Sequence, residues 1–219
     1  MRSEINLLKN YPQTKRDPKT RARNRSSEDR EIARRFDKDF FDGDRKYGYG
    51  GFAYNEKYWK KVVRDIVNHY QLKNNSKILD VGCGKGFMLY DFYNYSKDYY
   101  LRGVDISEYA IRNAKEEIRQ FVSVGDAKKL NFEDNYFDLV ISINTVHNLD
   151  GEDLDNSLRE IERVSKKEKY IIVDAFSNDK EREDLNNWNL TAKTILHVDE
   201  WKKLFDKLGY TGDYYWFKP

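Results

Sequence analysis

The segment Asp80-Val81-Gly82-Cys83-Gly84-Lys85-Gly86 constrains this chain more than any other stretch. Lys77-Ile78-Leu79 before it reads as a short buried strand, and Phe87-Met88-Leu89-Tyr90-Asp91-Phe92 after it reads as the start of a helix. Glycines at alternate positions let the backbone turn sharply and leave room for a ligand where a Cβ would stand. A strand, a glycine turn and a helix N-terminus in succession make a nucleotide-binding element, and in open parallel sheets such elements lie at the carboxyl ends of the strands.

From Lys77 onward the chain alternates strand and helix. Strands are expected at 77–81, 99–104, 121–124, 138–143 and 169–174, and helices at 86–95, 107–119, 152–165 and 199–208, with Ser107 and Asp199 as N-caps. Tyr214-Tyr215-Trp216-Phe217 reads as a closing strand. This rhythm predicts an α/β fold: a Rossmann-like, mostly parallel sheet of six or seven strands with helices on both faces. Only 11 residues follow position 208, room for one good strand, so a seventh would have to come from the region of Ala192–Leu196. Ahead of the alternation, Trp59, Val62, Val63, Ile66, Val67 and Tyr70 mark one face of a helix over 58–70. The chain divides into an N-terminal extension at 1–54 and a ligand-binding domain at 55–219. In the extension, 1–26 reads as irregular, with Pro12 and Pro18. Ile32, Ala33, Phe36 and Phe40 suggest a helix from Ser27 to Asp39, and 42–54 is a glycine–tyrosine loop without a period.

Charge separates the same two parts. Residues 1–46 carry 14 Lys/Arg against 9 Asp/Glu, whereas the chain as a whole is only +2. Lys9–Arg25 holds seven basic residues with Asp17 the one acid, which reads as a solvated tail or as an arm that attracts phosphate or nucleic acid. No apolar run reaches the roughly 18 residues of a membrane span, and the N-terminus lacks the apolar core of a secretory signal. One Cys and three His argue against a disulfide framework and a zinc site, and fit a reducing cytoplasm.

The glycine spacing selects among ligands. A dinucleotide turn, G-x-G-x-x-G, would need Gly at 87, where Phe87 stands, and a phosphate-binding G-x-x-x-x-G-K-[ST] loop is absent. A carboxylate leading the turn, Asp80, suits a cationic group better than a pyrophosphate. With D-x-G-x-G-x-G at 80–86, the chain resembles the class I S-adenosylmethionine-dependent methyltransferases over about residues 57–210. The resemblance implies S-adenosylmethionine as cofactor and S-adenosylhomocysteine as product. It implies that Asp80, Gly82, Cys83, Gly84 and Gly86 surround the methionine end of the cofactor. Asp105 would bind the ribose hydroxyls, Ile106 would lie on the adenine, and Asp126-Ala127 would meet the adenine amino group. Phe137–Asn144 would form the fourth strand, its end at Asn144 facing cofactor and acceptor. Glu160–Val164 and Lys169–Val173 match the next helix and strand. Each residue taken alone also has a plainer reading: a strand–helix corner for the turn, a helix cap for Asp105, a turn residue for Asp126. Cys83 reads as a small buried residue rather than a catalytic thiol.

For the acceptor, His147 in Asn144-Thr145-Val146-His147-Asn148 is the candidate base, with a packing or cofactor-facing role as the alternative. Tyr47 and Tyr49, with Tyr54, are candidates for an acceptor pocket or lid formed by loop 42–54; they also read as aromatics that merely fasten the extension. Trp188 is a candidate for the opposite wall. His197 reads as a surface or capping residue and His69 as structural. The family's typical sheet ends in an antiparallel pair, and this chain lacks an Asn-Pro-Pro-Tyr-type motif and any recognisable RNA-binding module. The favoured acceptor is therefore a small polar molecule methylated on oxygen or nitrogen. RNA or protein docked by the basic arm is the alternative, and a non-catalytic, cofactor-binding regulator a further one.

Overall fold

The computed structural model describes residues 2–12 and 16–219, so positions 13–15 of the basic arm lie outside the described residues. The extension contributes α1 (Pro18–Arg23), α2 (Ser27–Ala33) and α3 (Lys38–Asp42). The domain runs α4 (Glu56–Tyr70), β1 (Lys77–Val81), α5 (Phe87–Tyr95), β2 (Tyr100–Asp105), α6 (Glu108–Arg112), β3 (Val122–Val124), β4 (Phe137–Ile143), α7 (Gly151–Val164), β5 (Ser165–Phe176), α8 (Asp179–Trp188), β6 (Leu196–His197), α9 (Val198–Leu208) and β7 (Asp213–Phe217). The sheet order is β3-β2-β1-β4-β5-β6, with β7 also on β5. β1 lies between β2 and β4, so its glycine turn opens where the strand order reverses.

Both faces of the sheet are covered. The apolar stripe of α4 buries Val62, Val63, Ile66 and Val67 against Ile78, Leu101 and Leu139, together with Met88, Leu89 and Phe92 of α5. Leu158, Ile161, Trp201 and Phe205 of α7 and α9 cover Leu79, Val140, Ile171 and Val173 on the other face. Each such side chain contributes about 1.5–3 kcal/mol by leaving water.

Several expectations are corrected. The helix at Ser27–Asp39 is two helices. Ser26 and Asp29 form a capping box for α2, Phe36 turns into the left-handed region (φ 51°), and Asp37 caps α3 anew. The helix at 107–119 stops at Arg112 and resumes as a 3-10 turn at Glu116–Phe121, although Ser107 caps it as expected. α1 begins on Pro18 with Asp17 as its cap, so 1–26 is not wholly irregular. α8 was not foreseen. The cap of α9 is His197, reciprocated by Glu200, while Asp199 sits inside the first turn. Among the described residues the sheet has seven strands, within the expected six or seven. β6 pairs with the last two residues of β5, and β7 pairs with Tyr170–Asp174 along the edge away from β4; both are parallel to β5, in contrast to an antiparallel closing pair.

The chain's first residues join this edge. Ile5 N–H donates to Tyr214 O (2.9 Å), Tyr214 N–H to Ser3 O (3.0 Å), and Leu7 enters the core. Among the described residues no helix is long and apolar enough to cross a membrane.

Candidate functional site

Val81 ends β1, and the turn after it folds back on β2: the N–H groups of Gly82 and Cys83 both donate to Val104 O, at 2.8 and 3.0 Å. Gly82 adopts φ 82°, and a Cβ there would stand 2.1 Å from Thr145 Oγ1, so only glycine lets the loop after β4 close against the turn. Gly84 N–H donates to Asp105 Oδ2 (2.7 Å), and Ser107 N–H to Asp105 Oδ1 (2.9 Å). These bonds fix the Asp105 carboxylate at the end of β2.

Two buried carboxyls therefore face the turn in unequal surroundings. No group among the described residues donates to Asp80; burial, with Asp105 nearby, pushes its pKa up to about 8. Burial also raises Asp105, but its two backbone N–H partners act in the other direction. Asp105 is thus the partner that ionises first, and Asp80 awaits a cation. A buried acid without a donor, on the wall of a cavity, fits the ammonium of an amino-acid-like ligand. A carboxylate held by backbone N–H groups at the next strand end fits a pair of hydroxyls.

Ile106 is 55% exposed and Val124 50% exposed, an apolar pair uncovered at the ends of β2 and β3. Gly125 N–H donates to Asp105 O (2.9 Å), which brings Asp126-Ala127 beside that pair. Asp126 accepts from Lys128 N–H (3.0 Å) and lies 3.5 Å from its Nζ. Asn144 closes β4 with φ 55°, a left-handed conformation that Asn tolerates.

Asp80, Gly82, Cys83, Gly84, Asn144, His147 and Tyr49 line one cavity of about 700 Å³. Gly86, Asp105, Ile106, Asp126 and Ala127 stand outside its wall, Gly86 as the left-handed residue before α5. Tyr47 is not part of the wall; its ring lies 4.6 Å from Lys46 Nζ. Tyr54 is also elsewhere, its hydroxyl donating to Asp91 Oδ1 at 2.7 Å and so tying the loop to α5. Trp188, at the end of α8, does line the cavity.

The extension roofs this space. Lys85 Nζ, buried beside the turn, donates to the Asp42 carboxylate and to Phe52 O, and Tyr109 O–H donates to Asp42 Oδ2 (2.8 Å). Phe41 then lies over Gly84, 3.3 Å from where its Cβ would be. The Tyr49 hydroxyl accepts from Leu190 N–H (2.8 Å), and its burial raises its pKa. Asp42, which the sequence offers with Asp44, Arg45 and Lys46 as a holder of polar acceptor groups, is instead bound to Lys85 and Tyr109; the parts of Lys85 and Phe41 are revealed only by the contacts.

Beyond the end of β4, His147 Nδ1 accepts from Asp174 N–H (2.8 Å). That nitrogen is unprotonated, so the neutral ring carries its proton on Nε2, and burial keeps the ring neutral by lowering its pKa. Asp174, at the end of β5, lies 3.5 Å from Nδ1, and burial raises its pKa. Its position at a strand end was the overlooked signal. Asn148 Oδ1 is buried without a hydrogen-bond partner among the described residues, on the same wall.

Residues 72–209 match the family described as Methyltransferase domain. Sterol 24-C-methyltransferase of Aspergillus fumigatus is 29% identical over 157 residues, covering 61% of this chain and 41% of that protein. The tRNA (carboxymethyluridine(34)-5-O)-methyltransferase of Arabidopsis thaliana is 30% identical over 145 residues, covering 65% of this chain and 33% of that one. The chain thus spans well under half the length of these curated relatives. A solved SAM-dependent methyltransferase from Archaeoglobus fulgidus aligns with a TM-score of 0.52 at 25% identity, covering 68% of each chain. A structure from Methanococcus maripaludis shares the fold over 90% of this chain and 88% of its own, with a TM-score of 0.54 at 20% identity. The family match begins just before β1 and ends at the C-cap of α9, so it takes in each strand end described above: the chain belongs to the class I S-adenosylmethionine-dependent methyltransferases.

Proposed function

We propose that this chain transfers a methyl group from S-adenosylmethionine to oxygen or nitrogen of a small polar molecule held beneath the extension. The observation that carries this reading is the shared cavity. Asp80 and the glycine turn form one end, His147, Asn148 and Asp174 the other, and Phe41 and Tyr49 of the extension form part of the wall between. The bound cofactor supplies an activated sulfonium methyl group. Asp80 holds its ammonium, Asp105 its ribose, and Ile106 with Asp126 its adenine.

The chain's own residues supply alignment and exclusion of water, which account for much of the rate when the methyl donor is already activated. Asn148 Oδ1, a buried acceptor without a partner, suits an acceptor O–H or N–H. His147 serves as a donor through Nε2–H; acting as a base there would require it to give up its 2.8 Å bond to Asp174 N–H. Tyr49 belongs to the roof, and Tyr47 supports the loop from outside the wall.

The RNA or protein alternative relies on Lys9–Arg25 as a free docking arm. Against it, Arg16 and Arg21 stack on aromatic rings of the fold, and Arg25 donates to the carbonyls of Arg45 and Gly48. The test uses S-adenosylmethionine with a labelled methyl group, incubated with the chain and either a low-molecular-mass metabolite extract or total RNA. Label in the small-molecule fraction, lost in Asp105→Ala, is the expected result. Label in RNA alone replaces this reading with the RNA one. Tight S-adenosylhomocysteine binding without transfer to either pool favours the regulatory relative.

A further inference from the structure

Four arginines of the extension gather at the cavity, and an acid that acts on the group from outside the wall, Asp29 beside Arg25, is not ion-paired with any of them. Arg16 and Arg45 line the wall. The Arg21 guanidinium lies 3.8 Å over the Trp188 ring and 4.7 Å from that of Tyr49, both wall residues. Arg25 braces the loop by donating Nη2 to Arg45 O and Gly48 O. Among the described residues none of the four forms an ion pair with a carboxylate. The other cations of the wall are neutralised: Lys85 by Asp42, and Lys218 by Glu181. Two donors, Arg21 Nη2 and Arg25 Nη1, are buried with no hydrogen-bond partner among the described residues. Burial, then the neighbouring Arg25, brings Arg21 down to about 9, with Arg45 and Arg16 adding to the repulsion. A fold does not ordinarily hold like charges together out of water unless an anion completes the set.

The acids on the same wall do not complete it. Asp80 faces the glycine turn, Asp174 faces His147, and Glu4 lies at the exposed rim. The guanidinium fork matches the two oxygens of a carboxylate or phosphate. We infer that the methyl acceptor carries an anionic group, carboxylate or phosphate, which Arg16 and Arg45 bind directly while Arg21 and Arg25 reinforce the positive field behind them. This inference rests on the methyltransferase reading. It favours a small acceptor over an RNA backbone because Arg16, half-buried against Trp188 and Phe217, lines the cavity wall.

The full chain, saturated with S-adenosylhomocysteine, is titrated calorimetrically with inorganic phosphate, with succinate and with neutral glycerol. At least one anion should bind and glycerol should not. Arg16→Gln and Arg45→Gln should each weaken the anion by about tenfold or more while S-adenosylhomocysteine affinity stays within about twofold. Arg23→Gln, exposed on α1, should change neither. Phenylglyoxal labelling of the unmutated chain, read by mass spectrometry, needs no substitution to fold: phosphate should protect Arg16 and Arg45 and leave Arg23 reactive. If S-adenosylhomocysteine binds but neither anion does, or if both glutamine variants bind anions as the parent does, or if labelling ignores phosphate, the inference is wrong and the methyltransferase reading stands. Protection by total RNA but not by phosphate also overturns it. Failure of S-adenosylhomocysteine to bind removes the underlying reading instead.

Discussion

Asp80→Asn should stabilise the cofactor-free protein and weaken cofactor binding at once. In the folded chain Asp80 keeps its proton up to a pH of about 8. In the unfolded chain an aspartate releases it near pH 4. Between those values folding takes up a proton at this site, so the folded state binds more protons than the unfolded one. The stability associated with the raised pKa is therefore complete below pH 4 and is lost as pH rises through 8. The loss runs at about 1.4 kcal/mol per pH unit, or about 4 kcal/mol from pH 5 to pH 8. The asparagine variant has no proton to take up and lacks this slope. Urea denaturation of both proteins, free of cofactor, at pH 5, 6, 7 and 8 isolates it, because every other titrating group is common to the pair. The variant's advantage should grow by about 4 kcal/mol across the series and level off above pH 8. S-adenosylhomocysteine affinity should fall by roughly 10- to 100-fold, as a charge-assisted hydrogen bond is replaced by a neutral one. A stability difference that does not vary with pH would refute the reasoning, since Asp80 would then titrate alike in both states.

Four further substitutions probe the rest of the site. Asp105→Ala removes the acceptor of Gly84 and Ser107 N–H, and should weaken S-adenosylhomocysteine by about 30-fold or more in calorimetry. Gly82→Ala puts a Cβ against Thr145 in a left-handed residue and should cost about 2–3 kcal/mol in urea denaturation, with part recovered in the Gly82→Ala/Thr145→Ala double variant. Tyr49→Phe leaves Leu190 N–H without its 2.8 Å acceptor and should cost about 1–2 kcal/mol, read as a lower thermal midpoint. Lys85→Met leaves Asp42 without its buried partner, and the cost of about 2 kcal/mol should appear as faster proteolysis within loop 42–54 while the sheet stays resistant.

The glycine turn and the strand-end acids were legible as structural features because local chemistry determines them. A glycine turn after a buried strand reads the same in one dimension as in three, and so does an acid at each of the next strand ends. The roof was not legible. Lys85 meets Asp42 across 43 positions, and no spacing rule announces a buried pair formed by two such common residues. Tyr47 and Tyr49 look alike in sequence, two residues apart in a loop without a period, yet only the latter reaches the cavity. The His147 tautomer was equally hidden, since it depends on a backbone N–H 27 positions away. Within the fold, helix breaks at Phe36 and Asn113 escaped notice because each lies inside a stretch of sound helical spacing. β5 finds room for both β6 and β7 because it runs to Phe176, longer than its apolar run suggested.

The parallel course of β7 along β5 bears on the order in which the molecule is assembled. The edge that receives Ser3 and Ile5 is made of the last strand, and Ser3 N–H reaches Asp213 across 210 positions. The backbone pairing of Ser3 and Ile5 therefore cannot form until nearly all of the chain exists and β7 has joined the sheet. Closing so long a loop is entropically slow and gains little until the contacts beyond it form. The strand ends around Asp80 and Asp105 depend on no such closure. During synthesis the glycine turn and the strand ends beside it can form first, and the seat of Ser3 and Ile5 on β7 is completed last.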